Sequence, residues 1–80
     1  MTTKNVLHEL AEIVSDVTGN EKVELSLDMT ANDVEGWDSL SHVQILYSCE
    51  IKWGIRLSLQ ELSSLKTIGD LVEIITNSLN

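Results

Sequence analysis

The chain has 80 residues, with 13 Asp and Glu against five Lys and Arg, a formal net charge of −8, one Cys and no Pro. That length supports one small domain, and a hydrophobic fraction of 42% is too high for a disordered segment. The acidic balance excludes nucleic acid, whose phosphates need Lys and Arg, disfavours an anionic membrane surface and favours partners with basic surfaces.

Val6, Leu7, Leu10, Ala11, Val14 and Val17 recur at helical spacing between Glu9, Glu12 and Asp16, which predicts a first helix over roughly residues 4–17. Thr2 or Thr3 can cap its start, and Gly19-Asn20 tolerates the left-handed backbone that ends a helix. Val23, Leu25, Leu27 and Met29 alternate with polar residues, but no second run offers a partner strand. Residues 19–37 therefore read as a long loop that lays apolar side chains on a helical core.

Asp38 reads as the N-cap of a second helix over about residues 39–53, ended by Gly54. Leu40, Val43, Leu46, Cys49 and Trp53 step by three or four and are expected to form its buried face. Ile55 and Leu57 follow in a short extended stretch. Ser58-Leu59-Gln60-Glu61 has capping-box spacing and announces a short helix. Thr67-Ile68-Gly69-Asp70 repeats that spacing and opens a last helix whose stripe is Leu71, Ile74, Ile75 and Leu79. The sum is an all-α fold, a small four-helix bundle of three main helices and one short one, with a long loop between helices one and two. Its core is expected on Leu10, Val14, Leu46, Trp53, Leu71 and Ile75.

Cys49 is alone and cannot form an internal disulfide. With only His8 and His42 beside it, no structural metal set can be assembled. No apolar run approaches the ~18 residues of a membrane span. The opening Met1-Thr2-Thr3-Lys4-Asn5 lacks the marks of a signal peptide, so a reducing cytoplasm is the expected compartment.

The residues that point to chemistry are Gly36-Trp37-Asp38-Ser39-Leu40, where the loop meets the second helix. Asp38 at the cap places Ser39 in the first turn, at the positive end of the helix, where a phosphate is favoured. Asp38 works partly against this as a second anion next door.

Asp-Ser-Leu on a helix start resembles the attachment motif of acyl carrier proteins, and Thr67-Ile68-Gly69-Asp70-Leu71 resembles the opening of that family's last helix. The resemblance covers nearly the whole chain, so residues 1–80 are expected to be one acyl carrier domain. It implies a four-helix bundle without catalytic activity that bears 4′-phosphopantetheine on Ser39. A phosphopantetheinyl transferase places this arm from coenzyme A with a magnesium ion. The arm's thiol would hold acyl groups as thioesters for a loading ligase or acyltransferase and for downstream synthase or transferase enzymes. Asp38 would cap and orient, Leu40 would anchor the motif in the core, and an apolar cargo would fold back into space lined by Val43, Leu46 and Ile68. A monomer is expected. Carriers of housekeeping fatty-acid synthesis usually crowd acids along the second helix. Here Glu50 is its only acid after Asp38, and Gly-Trp-Asp-Ser-Leu-Ser-His resembles stand-alone carriers of specialised pathways.

Other side chains admit two readings. His42, one turn after Ser39, is a solvated histidine or a contact with arm or partner. A catalytic base would need a third orienting group and an oxyanion hole, which nothing here supplies. Trp37 packs the loop on the bundle or faces the arm. Cys49 reads as a small core hydrophobe rather than a reactive thiol. Glu21, Glu24, Asp28, Asp33, Glu35, Asp38 and Glu50, against Lys22 alone, are a solvated acidic surface or a docking field for basic enzymes. Gln44, Tyr47, Glu50 and Ile51 are the expected partner contacts on the second helix. An aminoacyl, peptidyl or D-alanyl carrier shares the arm and differs in cargo. A cofactor-free helical interaction module is the alternative of another class.

Overall fold

A computed structural model describes residues 2–21, 23–57 and 65–79. It contains α1 (Thr3–Thr18), a 3-10 turn at Ala31–Asp33, α2 (Ser39–Trp53) and α3 (Ile68–Leu79), with no strand among the described residues. The all-α bundle expected from the sequence is the observed fold. The short helix expected from Ser58 lies outside the described residues.

Local chemistry sets each boundary. The Thr2 hydroxyl accepts the Asn5 N–H at 3.2 Å to open α1, and Gly19, at φ 80°, closes it. Val6, Leu10, Ile13 and Val14 bury one stripe of α1, which packs against both α2 and α3. The Trp53 indole N–H donates to Glu9 Oε2 at 3.2 Å, and Lys52 Nζ lies 3.8 Å from Glu9 Oε1, so one carboxylate ties α1 to the end of α2.

α3 opens with a reciprocal box. Thr67 Oγ1 accepts the Asp70 N–H at 3.2 Å, while Asp70 Oδ2 accepts the N–H groups of Thr67 at 3.2 Å and Lys66 at 2.9 Å. The N–H groups of Ile68 and Gly69 donate to the carbonyls of Met29 (2.7 Å) and Leu27 (2.8 Å). These bonds stitch the long loop to the start of α3, so the loop is a built part of the fold. Val34 and Trp37 from the loop join the core, and Val23, Leu25 and Met29 pack against it.

The core differs from the expected one on α2. Ile45, Leu46 and Cys49 are its buried residues, with Trp53 partly buried against the cluster. Leu40 is 70% exposed and Val43 64% exposed, so neither belongs to the buried face. The reason is helical arithmetic. At 3.6 residues per turn each residue advances about 100°, so repeated steps of three drift around the helix, and nine residues place Leu40 opposite Cys49. Leu10, Val14, Leu46, Leu71 and Ile75 are buried as expected, joined by Val6, Ile13, Ile45, Ile68 and Val72.

Candidate functional site

The loop arrives at α2 through a turn closed by the Trp37 N–H donating to the Val34 carbonyl at 3.2 Å, with Gly36 at φ 85°. Gly36 also passes close to the end of α1, where a Cβ would meet Thr18 Cβ at 3.1 Å. The turn swings the Trp37 indole inward, where it is 8% exposed. Of the two readings of Trp37, the packing one is observed.

Asp38 is extended (φ −110°, ψ −170°) and caps α2: Oδ1 accepts the Ser41 N–H at 2.9 Å and its carbonyl accepts the His42 N–H at 2.8 Å. The bond from Ser41 holds the Asp38 carboxyl below its ordinary value. Ser39 is the first residue of α2 and is exposed. Ala31, Asn32, Trp37, Asp38, Ser39 and His42 line one open depression around it. An exposed hydroxyl in the first turn, beside open space, is the geometry a phosphodiester on Ser39 requires.

His42 is not simply solvated. Its Nδ1 accepts the Trp37 Nε1–H at 3.0 Å, with ring centroids 6.1 Å apart. On its other side Trp37 and His42 meet Ala31, Leu65, Lys66, Thr67, Ile68 and Leu71 around a small cavity of about 70 Å³. Leu46 and Ile68 are buried, but Val43 stands on the outer face. The cargo space expected from Val43, Leu46 and Ile68 is therefore not one enclosure. Nor does Leu40 anchor the motif in the core.

Leu40, Val43, Tyr47 (62% exposed) and Ile51 (66% exposed) instead form a continuous apolar stripe that begins one residue after Ser39. Gln44 is exposed beside it. Glu50 is half-buried, and its Oε2 accepts the Leu57 N–H at 3.1 Å, so this carboxylate is engaged in holding the chain after α2. The spacing 40, 43, 47 and 51 carries this stripe in the sequence, as a second apolar face on the same helix. The Trp37–His42 bond carried no such signal, because it depends on the path of the turn before α2.

Cys49 is fully buried, and that burial, reinforced by the Glu50 charge, pushes its thiol from 9.0 up to about 12. Among the described residues no group of three His, Cys, Asp or Glu could hold a metal ion, and no helix is long and apolar enough to cross a membrane.

Residues 8–75 match a family model described as a phosphopantetheine attachment site. The chain is 38% identical over 74 residues to the acyl carrier protein of Rhodococcus erythropolis, covering 92% of this chain and 81% of that one. It is 36% identical over 74 residues to the meromycolate extension acyl carrier protein of Mycolicibacterium smegmatis, covering 92% and 75%. Its fold is similar to the solution structure of a holo acyl carrier protein from Geobacter metallireducens, with a TM-score of 0.85 at 35% identity, over 92% of this chain and 85% of that one.

Proposed function

Because this chain belongs to the phosphopantetheine-binding family of acyl carrier proteins, we propose that Ser39 is the attachment site and that residues 1–80 act as one carrier domain. Members of this family carry acyl groups for biosynthetic enzymes and are not themselves catalysts. When bound, 4′-phosphopantetheine supplies an arm ending in a thiol, on which acyl groups ride as thioesters.

The residues around the site divide the work. Ser39 offers its hydroxyl oxygen from the first helical turn, clear of the core. Asp38 fixes where that turn begins by taking the Ser41 N–H, so the serine stands on a rigid element rather than on the loop. The partial positive charge of the α2 N-terminus favours the anion the serine would bear. Trp37 anchors the loop end under the helix start.

The partners we infer are a phosphopantetheinyl transferase, a loading ligase or acyltransferase, and downstream synthase or transferase enzymes, in the cytoplasm and with the carrier as a monomer. Any enzyme that accepts the tip of an arm tethered at Ser39 must cover nearby surface. The stripe Leu40, Val43, Tyr47 and Ile51, with Gln44 at its edge, is the exposed apolar surface next to the tether. Its chemistry favours a partner with an apolar groove, drawn in by the net charge of −8. Sparse acid on α2 fits a specialised pathway, and one relative is named a meromycolate extension acyl carrier protein.

The observation that carries the assignment is the exposed Ser39 at the first position of α2, directly behind its Asp38 cap. Incubation with coenzyme A, magnesium and a broad-specificity transferase should add the mass of one arm, mapped to the Ser39 peptide. Ser39→Ala should abolish that gain. Labelling that survives this change, or that lands on Ser41, overturns the site.

A further inference from the structure

Trp37 and His42 form the one hydrogen bond between two side chains that joins the loop end to the attachment helix among the described residues, and its direction has a chemical consequence. An indole N–H can only donate. At 3.0 Å from Trp37 Nε1, His42 Nδ1 is therefore the acceptor, and the proton of the neutral ring sits on Nε2. The indole is buried and held by its turn, so it fixes the tautomer and also the orientation of the ring. A buried partner that orients one histidine nitrogen so that the other can serve a ligand is a recurrent arrangement.

His42 follows Ser39 by three residues, which makes them neighbours on the helix surface at about 5–6 Å between Cβ atoms. Both line the same open depression, together with Trp37 and Asp38. His42 Nε2 has no hydrogen-bond partner among the described residues, whereas the Asp38 carboxylate already takes the Ser41 N–H. A phosphodiester on Ser39 would meet an anion at Asp38, which a side-chain donor would offset alongside the positive end of α2. We propose that His42 is that donor: its Nε2–H, presented by the Trp37 indole, bonds the phosphodiester oxygen of the arm. This rests on Ser39 as the attachment site. The charged groups that face the imidazole are Asp38, on the cap of its own helix, and Lys66, from the segment before α3 across the small cavity.

The test compares the unloaded and loaded protein after intact mass and peptide mapping have established one arm on Ser39. Long-range imidazole 1H–15N spectra of the neutral ring should show the Nε2–H tautomer of His42 in both forms. Loading should shift the His42 ring resonances, the Nε2 signal most, because that is the nitrogen whose proton meets the phosphodiester. His8, exposed on α1 beside Glu12, should not move. The 31P resonance of the loaded protein should change in His42→Phe. It should change in the same direction by less in Trp37→Phe, which keeps an aromatic ring at the loop end but loses the N–H together with part of the indole.

An arm mapped to Ser39 with His42 and 31P signals that ignore loading and both variants overturns the contact alone. An Nδ1–H tautomer overturns the orienting role of Trp37 and with it the proposal. No arm on Ser39 overturns the attachment site as well.

Discussion

The carbonyl oxygen of Leu27 accepts the Gly69 N–H at 2.8 Å and lies only 2.7 Å from where a Cβ on residue 69 would stand. The glycine in Thr-Ile-Gly-Asp is thus a docking point for the long loop. Gly69→Ala should destabilise the domain by about 1–3 kcal/mol, as an overpacked contact with backbone does, even though alanine is favoured over glycine in a helix by ~1 kcal/mol. Denaturant melts read the sign: a stabilised variant would show that the loop yields freely at this contact.

Opposite faces of α2 should answer truncation differently. Leu46→Ala, at a buried position, is expected to cost about 2–4 kcal/mol, a large share of the ~5–15 kcal/mol a domain usually has. Leu40→Ala, at a 70% exposed position, should stay within about 0.5 kcal/mol of the parent. Equal losses at the two sites would contradict the register of α2.

This contrast marks where sequence reading stops. The boundaries of α2 follow from Asp38 and Gly54, and the start of α3 from Thr67 and Asp70, because capping is local chemistry within a few residues. The rotation of α2 is not local. Ile45-Leu46-Cys49 and Leu40-Val43-Tyr47-Ile51 are both apolar at helical spacing, and only packing against α1 decides which one is buried. The position of Ser39 was legible for the first reason. The Trp37–His42 bond was hidden for the second, since it needs the loop's three-dimensional path.

Asp38 and Asp70 give the domain an acid limit. Both carboxyls lie below their ordinary 3.8, Asp38 through the Ser41 N–H and Asp70 through the N–H groups of Lys66 and Thr67. A group depressed in the folded state contributes stability that is fully present above the unfolded value and is lost as pH falls through the folded one. Helical circular dichroism in a fixed, moderate denaturant concentration should therefore decline below pH about 4. Asp70→Asn should be less stable at neutral pH and show a shallower acid decline. An unchanged acid profile in that variant would remove Asp70 from this role.

The α2 stripe makes a prediction about partners. Tyr47→Ala should weaken association with the transferase or the loading enzyme by about tenfold, the scale of a contact worth more than ~1 kcal/mol. Its melting curve should match the parent, because Tyr47 is 62% exposed. Raising salt should slow association more than it speeds dissociation, since the charge of −8 acts during approach and the stripe acts after contact. Salt-insensitive association with a silent Tyr47→Ala would move docking to another face.

Burial of Cys49 bears on the fidelity of the cargo. A thioester is an acylating agent, and a thiolate is the nucleophile that would take its acyl group by exchange. With its thiol pushed up to about 12, Cys49 is ionised at neutral pH to only about one part in 10⁵, and it is walled off by the core. The folded carrier is thus protected from acylating itself and from cross-linking to a second copy through this side chain. It also follows that a thiol-specific maleimide should leave the folded protein without its arm unmarked, mark the arm-bearing, unacylated protein once, and reach Cys49 only on unfolding.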